Sequence, residues 1–170
     1  ETIARSLRNA AGFDFTPGQM FTQRPGVVGR VIAAAEVNWP RSVATPQAEE
    51  FVQRIAGQAV RGVSRQGKFL LLQLDHDWLL IHLRMSGDIR VEPRDTTLDQ
   101  PHDRVVIDFQ DGTRFVFNDP RKFGRLWLVS DPHSVLLKLG PEPFSEELDA
   151  LAFHKMLQSR KTAIKPLLMD

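Results

Sequence analysis

The chain has 170 residues, 42% of them hydrophobic and 25% charged, which is the composition of an ordinary globular protein. This length suits one domain that buries about 70% of the surface of the unfolded chain. The chain has no cysteine, which excludes a disulfide framework and a thiolate metal site, and its five histidines show no metal-ligand spacing. No apolar run approaches the roughly 20 residues of a membrane span, and no signal-peptide pattern is visible, so we expect a cytoplasmic location without a membrane partner.

The first part of the chain is predicted to contain two helices, a loop and a strand. Residues 1–11 carry apolar side chains at helical spacing, whereas residues 12–29 are rich in Gly, Pro, Thr and Gln, which predicts a loop. Residues 30–39 alternate weakly and predict a strand. Thr45 is the predicted N-cap of a second helix, which continues over residues 46–56 with a proline in its first turn.

After this helix the pattern changes to short strands separated by turn signals. The predicted strands span residues 58–65, 68–74, 78–83, 88–92, 104–109, 113–118 and 125–129. Helical periodicity returns over residues 132–139, over 145–157 with Ser145 as the cap, and over 162–169. Short strands at regular spacing favour a mainly β, α+β fold, a two-layer antiparallel β-sandwich with flanking helices.

Both ends of the chain predict that it is part of a longer protein. Glu1 is not a methionine and lies directly inside a helical pattern. Residues 164–169 end the chain on an apolar set without a capping signal.

Two segments place large side chains on predicted turns at strand ends. Met85 lies in the turn of residues 82–87, and Arg121 and Phe123 lie in the turn of residues 118–125. An apolar side chain between cations suits a protein that unstacks DNA, because the wedge replaces lost stacking while the cations hold the phosphate backbone. Either segment alone also fits an ordinary β-turn whose apolar side chain folds onto the core. The two together favour insertion into DNA.

Cations are grouped in three places along the chain, although the net charge is only +1. One such group alone is typical of a solvated face, whereas three on one surface would form an electrostatic footprint for nucleic acid. The groups are Arg61, Arg65 and Lys68; Arg121, Lys122 and Arg125; and Arg160, Lys161 and Lys165.

Blocks of residues along the whole chain match a known family, in the family's order. They span residues 1–3, 67–72, 81–87, 118–124, 139–143 and 161–165. In these blocks the chain resembles the N-terminal domain of the bacterial formamidopyrimidine-DNA glycosylases, which remove oxidised purines such as 8-oxoguanine. The resemblance implies a two-layer β-sandwich with flanking helices over residues 1–160. Residues 161–170 would then begin the segment that leads to a helix-two-turn-helix region and a zinc finger outside this chain.

The resemblance implies base excision followed by strand cleavage, in which an N-terminal proline amine attacks the sugar C1′ and forms a Schiff base. The family's opening Pro-Glu-Leu-Pro-Glu-Val precedes the residues matched by Glu1 and Thr2, so we expect the chain by itself to be inactive. The implied partner is double-stranded DNA that contains oxidised bases or abasic sites, bound by a monomer. No cofactor is implied within this chain, and one zinc ion is implied in the remaining half.

The resemblance also implies roles for individual residues. Lys68 matches the catalytic lysine, which contacts phosphate and assists proton movement. Met85 would fill the hole left by the extracted nucleotide, Arg121 would hydrogen-bond the widowed base, and Phe123 would wedge beside it. The other predicted DNA-binding residues are His82, His102, Lys122, Lys161 and Lys165.

Some of these residues also fit purely structural roles, and three positions depart from the family pattern. Lys68 fits a lysine that snorkels from a sheet edge, and His82 fits a hydrogen-bonded structural histidine. Arg84 stands where many members have glycine, Lys122 where many have arginine, and Arg104 where a histidine is found.

Two alternative functions follow from the same residues. One is the sister group of enzymes that act on oxidised pyrimidines, which the combination of Met85, Arg121 and Phe123 disfavours. The other is a catalytically silent DNA-binding module of the same fold.

Overall fold

The computed structural model describes residues 26–95, 101–137, 139 and 149–158, and the backbone of 13–14 and 22–23. Its strands are β1 (Phe13–Asp14), β2 (Thr22–Gln23), β3 (Ile32–Val37), β4 (Val43–Thr45), β5 (Gly62–Gln66), β6 (Phe69–Gln73), β7 (Trp78–His82), β8 (Asp88–Pro93), β9 (Asp103–Phe109), β10 (Thr113–Asn118) and β11 (Arg125–Val129). Its helices are α1 (Ala48–Ile55), α2 (His133–Leu136), α3 (Ala150–Gln158) and the short 3-10 helix η1 (Pro40–Ser42). Two compact units meet in sequence at Pro132 and His133, and the strands belong to the first.

The strands form two principal sheets around one core, which confirms the predicted β-sandwich. One sheet is antiparallel, with the order β3-β9-β10-β8, and the other has the order β4-β11-β7-β6-β5. Side chains from both sheets and from α1 belong to a single buried cluster. Phe115 and Phe117 of β10 are fully buried and belong to this cluster, whereas Val116 between them is also buried but does not belong to it. Burying such a side chain contributes about 1.5–3 kcal/mol relative to leaving it exposed.

Two details of the prediction around residue 45 are wrong. Thr45 does not cap α1, because it is the last residue of β4 and pairs with Trp127 of β11. Its hydroxyl donates to the Ala44 carbonyl, and Gln47 precedes the helix without a side-chain capping bond. β4 runs parallel to β11, so the larger sheet is not wholly antiparallel. Sheet pairing therefore outweighs the local capping signal.

Other predicted elements differ in extent. The predicted loop over residues 12–29 contains the short antiparallel pair of β1 and β2, since two-residue strands are too short to show alternation. The helix predicted over 132–139 is confined to α2. Of the helix predicted over 145–157, the described residues contain α3, at whose start the Asp149 carboxylate accepts the Ala152 N–H at 2.7 Å, and the predicted cap Ser145 lies outside the described residues. The helices predicted over 1–11 and 162–169 lie outside the described residues.

Two connections between the sheets lie at one end of the sandwich. His82 pairs with Phe69 and Arg125, so β7 ends where β6 and β11 begin. Asn118 pairs with Asp88 and Asp103, so β10 ends where β8 and β9 begin. Residues 83–87, here named the Met85 loop, and residues 119–124, the Phe123 loop, therefore cross between the sheets at the same end. Among the described helices, none combines the length and hydropathy needed to cross a membrane.

Candidate nucleic-acid interface

The Met85 loop is a tight turn that holds its methionine outward. The Gly87 N–H donates to the Leu83 carbonyl at 3.0 Å, and Arg84 adopts a left-handed conformation with φ of 56°. A Cβ at Gly87 would lie 2.5 Å from the Leu83 oxygen, so only glycine fits there. Met85 is 73% exposed, which a core side chain would not be.

The Phe123 loop exposes a second apolar side chain. Phe123 is 49% exposed, and the Arg121 guanidinium carbon lies 5.1 Å from the centroid of its ring. A Cβ at Gly124 would lie 2.4 Å from Cζ of the buried Phe117, so the backbone packs directly on the core immediately after Phe123. Phe123 is therefore not folded onto the core.

One buried carboxylate contacts both loops. Asp119, only 1% exposed, accepts the Ser86 hydroxyl at 2.5 Å on Oδ1, and the same oxygen accepts the Arg121 N–H at 3.2 Å. Its Oδ2 accepts the Gly124 N–H at 2.7 Å. The sequence indicates only the turn, since aspartate before proline is a common turn start. The bond to Ser86 was missed because it joins residues 33 positions apart.

His102 lies beside the Phe123 loop, in the turn that precedes β9. Its carbonyl accepts the Asp119 N–H at 2.9 Å. The buried Arg104 guanidinium donates to the Asp119 carbonyl at 2.8 Å and lies 3.2 Å from His102 Nδ1. Because a guanidinium can only donate, His102 Nδ1 accepts in this contact, and the exposed imidazole presents Nε2 as a donor. Arg104 thus joins the His102 turn to the Phe123 loop.

His82 is half-buried at the base of the Met85 loop. Its ring meets the Phe69 ring edge-on with a centroid distance of 4.9 Å, and its Nδ1 accepts the Arg84 N–H at 3.0 Å. Burial, together with the positive charges of Arg84 and Lys68, lowers the pKa of His82 from 6.5 to about 4. The imidazole is therefore neutral at pH 7 and serves as a hydrogen-bond acceptor.

Lys68 lies at the same end, in the turn between β5 and β6. Gly67, with φ of 55°, makes this turn, and the Arg65 guanidinium donates to its carbonyl at 2.6 Å. The Lys68 side chain is exposed, one residue before the strand that pairs with His82. Lys68 is therefore a solvent-facing cation beside the Met85 loop.

Lys122 packs on an aromatic ring that the sequence did not single out. Its ammonium nitrogen lies 4.0 Å from the centroid of Trp39, within the distance of a cation–π contact. Lys122 has φ of 62°, a left-handed conformation that is uncommon for a residue with a Cβ. The Trp39 contact helps to hold this residue in place.

Unpaired cations are concentrated at the loop end of the sandwich. In the described ranges, Lys68, Arg84, Arg121, Lys122 and Arg125 form no ion pair with a carboxylate. At the opposite end of the sandwich, arginines form ion pairs with carboxylates, such as Arg61–Asp75 at 2.6 Å and Arg54–Asp77 at 2.5 Å. Two of the basic groups thus meet at the loop end, although Arg61 of the first group does not join them. The exposed cations at this end favour the approach of a polyanion despite the small net charge of the chain.

The predicted site residues within the described ranges all lie at this end of the sandwich. They are Lys68, His82, Met85, His102, Arg121, Lys122 and Phe123. Lys161 and Lys165 lie outside the described residues. Over the described part of the chain, no three histidine, aspartate or glutamate side chains come together as a metal site requires.

Comparison with known proteins identifies relatives over most of the chain. Residues 21–126 match a family model described as the formamidopyrimidine-DNA glycosylase N-terminal domain. Proteins named formamidopyrimidine-DNA glycosylase from Protochlamydia amoebophila and Escherichia coli are 37% and 40% identical, over 85% and 86% of this chain. The one from Chloroflexus aurantiacus is 37% identical over 100% of it. The chain spans about half the length of these relatives, 52–56%.

Solved structures with the same fold contain DNA. The Lactococcus lactis protein in complex with a FAPY-dG containing DNA superposes with a TM-score of 0.75 at 32% identity, covering 84% of this chain and 55% of that one. A complex of the same protein with an abasic site containing DNA gives a TM-score of 0.76. A MutM complex with carbocyclic 8-oxo-G containing DNA gives 0.75 at 32% identity, with 84% of this chain and 55% of that one covered.

Proposed function

Because the chain belongs to the formamidopyrimidine-DNA glycosylase family, we propose that it forms the DNA-inserting half of an enzyme that excises oxidised purines. The complete protein would also cleave the strand at the resulting abasic site. Its partner would be double-stranded DNA carrying an oxidised base or an abasic site, the DNA present in the related complexes.

The observation that carries this proposal is the exposure of two apolar side chains on adjoining loops. Met85 is 73% and Phe123 49% exposed, and the loops that carry them are fixed by hydrogen bonds to a buried carboxylate. An enzyme that extracts a nucleotide must fill the hole it leaves, and apolar wedges on rigid turns suit that purpose. Arg121, next to Phe123, has the planar fork that can donate two bonds to the edge of an unpaired base.

The cations around the wedges would bind the phosphate backbone. His102 and Lys122, with Lys161 and Lys165 from the last basic group, are proposed as contacts that give affinity and salt dependence but little sequence information. Lys68 is proposed to contact a phosphate beside the reacting sugar and to assist proton transfer there. His82 is neutral at pH 7, which favours a structural role over a phosphate contact.

The rest of the proposal concerns the complete protein. Residues 1–160 would form its N-terminal domain, and residues 161–170 would lead to a second half that holds one zinc ion. The amine nucleophile would come from the proline that opens the family sequence. We propose that the enzyme acts as a monomer in the bacterial cytoplasm.

Borohydride trapping of the complete protein tests this function. The protein is incubated with duplexes that contain 8-oxoguanine, an oxidised pyrimidine or no lesion, and borohydride reduces any Schiff base to a stable adduct. We expect an adduct with the 8-oxoguanine duplex that maps to the N-terminal proline. An adduct formed only with the oxidised pyrimidine would favour the sister enzymes. Abasic-site binding without any adduct would favour the silent DNA-binding module.

A further inference from the structure

We propose that Asp119 is a positioning residue that makes the Met85 loop and the Phe123 loop enter DNA as one unit. The inference rests on the proposed function, since it concerns how the two wedges act together. It adds Asp119 and Ser86 to the residues on which lesion recognition depends.

The hydrogen bonds of Asp119 reach both loops from a single side chain. Oδ1 is shared between the Ser86 hydroxyl, at 2.5 Å, and the Arg121 N–H, at 3.2 Å. Oδ2 holds the Gly124 N–H at 2.7 Å. The carboxylate thus fixes the residue after Met85 and brackets Phe123 from both sides.

Burial makes these bonds strong and specific. Asp119 is 1% exposed, and hydrogen bonds to a carboxylate away from water are stronger than those between neutral groups. The Arg104 guanidinium also holds Asp119, because it donates a hydrogen bond to the Asp119 backbone carbonyl at 2.8 Å. Asp119 is therefore a fixed point within the otherwise exposed Phe123 loop.

The hydrogen bond between the Ser86 hydroxyl and the Asp119 carboxylate joins the Met85 loop directly to the Phe123 loop. Within the part of the chain that the structure describes, no other hydrogen bond joins residues 83–87 to residues 119–124. Without it, each loop would keep its own turn but would be ordered separately. Ordering two loops at the moment of binding costs conformational entropy, which a link present in the free protein removes beforehand.

The link predicts an energetic coupling between Met85 and Phe123 that depends on Ser86. The test measures dissociation constants of the complete protein for an abasic-site duplex, for Met85→Ala, Phe123→Ala and the double variant. The same set is then measured in a Ser86→Ala background. Ser86→Ala removes only the link, because Asp119 keeps its bonds to the Arg121 and Gly124 backbones. Ser130→Ala, the same change at an exposed serine at the opposite end of the sandwich, is the matched control.

With Ser86 present, we expect the affinity loss of the double variant to differ from the product of the single losses by about three- to tenfold. In the Ser86→Ala background the losses should multiply to within about twofold, whereas Ser130→Ala should leave the coupling intact. A purely structural serine would change overall affinity but not the coupling.

Two results would overturn the inference while the proposed function survives. One is multiplicative losses already in the wild-type background, and the other is a coupling that persists in Ser86→Ala. Equal wild-type affinity for abasic and undamaged duplexes would instead defeat the proposed function, and the inference with it.

Asp119→Asn provides a second measurement. Because the Ser86 hydroxyl can donate to the amide oxygen or accept from the amide N–H, this variant keeps a hydrogen bond to Ser86 while one backbone N–H, of Arg121 or Gly124, loses its acceptor. We expect a lower melting temperature and a retained coupling. An Asp119→Asn protein that folds but shows no coupling would contradict the inference, and Ser86→Ala decides the matter if this variant does not fold.

Discussion

The backbone N–H of Arg84 donates to Nδ1 of His82 at 3.0 Å. Arg84, the residue of the Met85 loop with a left-handed backbone, is therefore held by a neutral imidazole. The bond requires an unprotonated Nδ1, and the pKa of His82, lowered to about 4 by burial and by Arg84 and Lys68, provides one at neutral pH. The charge state of His82 and the conformation of the Met85 loop are therefore linked.

This link predicts a dependence of stability on pH. The pKa of His82 is about 4 when folded and 6.5 ordinarily, so between these values the unfolded chain binds the proton more tightly. The free energy of unfolding should therefore decrease as the pH falls from about 6.5 to about 4. His82→Asn, which keeps an acceptor near the Nδ1 position but does not titrate, should lose less stability than wild type.

Urea denaturation of the complete protein at about pH 7 and about pH 5 measures this difference. The lowered pKa values of Asp75, Asp77 and Asp111 act equally in both proteins and cancel in the comparison. Identical pH dependence of His82→Asn and wild type would show that His82 is not the titrating group.

Replacing Arg84 with glycine should affect stability and DNA binding in opposite directions. Arg84 has φ of 56°, and this conformation costs a residue with a Cβ about 1 kcal/mol relative to glycine. The free energy of unfolding should therefore rise by up to about that amount in Arg84→Gly. The affinity for duplex DNA should fall, with a salt dependence weaker by about one phosphate contact. Arg84→Lys should keep the salt dependence of wild type, and an unchanged slope in Arg84→Gly would remove Arg84 from the DNA surface.

The sequence predicts the sheets well because the hydrophobic residues within each strand indicate how that strand is buried. Leu126 and Leu128 of β11 are buried and alternate with half-buried residues, whereas β10 is a continuous buried run from Arg114 to Phe117. The prediction from sequence fails at Thr45, where a pairing with Trp127 far along the chain overrides a local capping signal. The exposed wedges are also predictable, since each lies on a turn. The supports of the wedges are not, because Asp119, Arg104 and Trp39 act through contacts that no local pattern records.

The contact between Lys122 and Trp39 predicts a stability coupling. An ammonium 4.0 Å from an indole centroid contributes about 0.5–1 kcal/mol at an exposed site. Lys122→Met keeps most of the side-chain length without the charge and should lose that amount. In a Trp39→Leu background the same change at residue 122 should cost almost nothing, as measured by chemical denaturation. Equal costs in both backgrounds would show that the contact does not stabilise the Phe123 loop.

Arg121→Ala should weaken lesion-specific binding of the complete protein. A lost bidentate contact to a base costs about 1–3 kcal/mol, or roughly five- to 150-fold in affinity for an abasic-site duplex. Binding to undamaged duplex, where no base is widowed, should change much less. Arg94→Ala removes an exposed arginine at the opposite end of the sandwich, where it pairs with Asp108, and serves as the control. Equal affinity of Arg121→Ala and wild type for the abasic-site duplex would refute the role of Arg121.

Lys68→Ala should slow excision more than it weakens binding. A group that assists proton transfer contributes about 10²-fold or more to the rate, whereas one exposed phosphate contact contributes little to affinity. Single-turnover excision from an 8-oxoguanine duplex measures the first quantity, and titration of an abasic-site duplex measures the second. Arg61→Ala removes a cation that pairs with Asp75 at the far end of β5 and should change neither.

Lys68→Arg separates the two roles proposed for this residue. A guanidinium keeps the positive charge for phosphate but is effectively always protonated, so it cannot exchange a proton with the reacting groups. We expect Lys68→Arg to restore binding while the single-turnover rate stays low. Wild-type rates in Lys68→Arg would mean that only the charge matters. Wild-type rates in Lys68→Ala would return Lys68 to the role of a lysine that snorkels from the sheet edge.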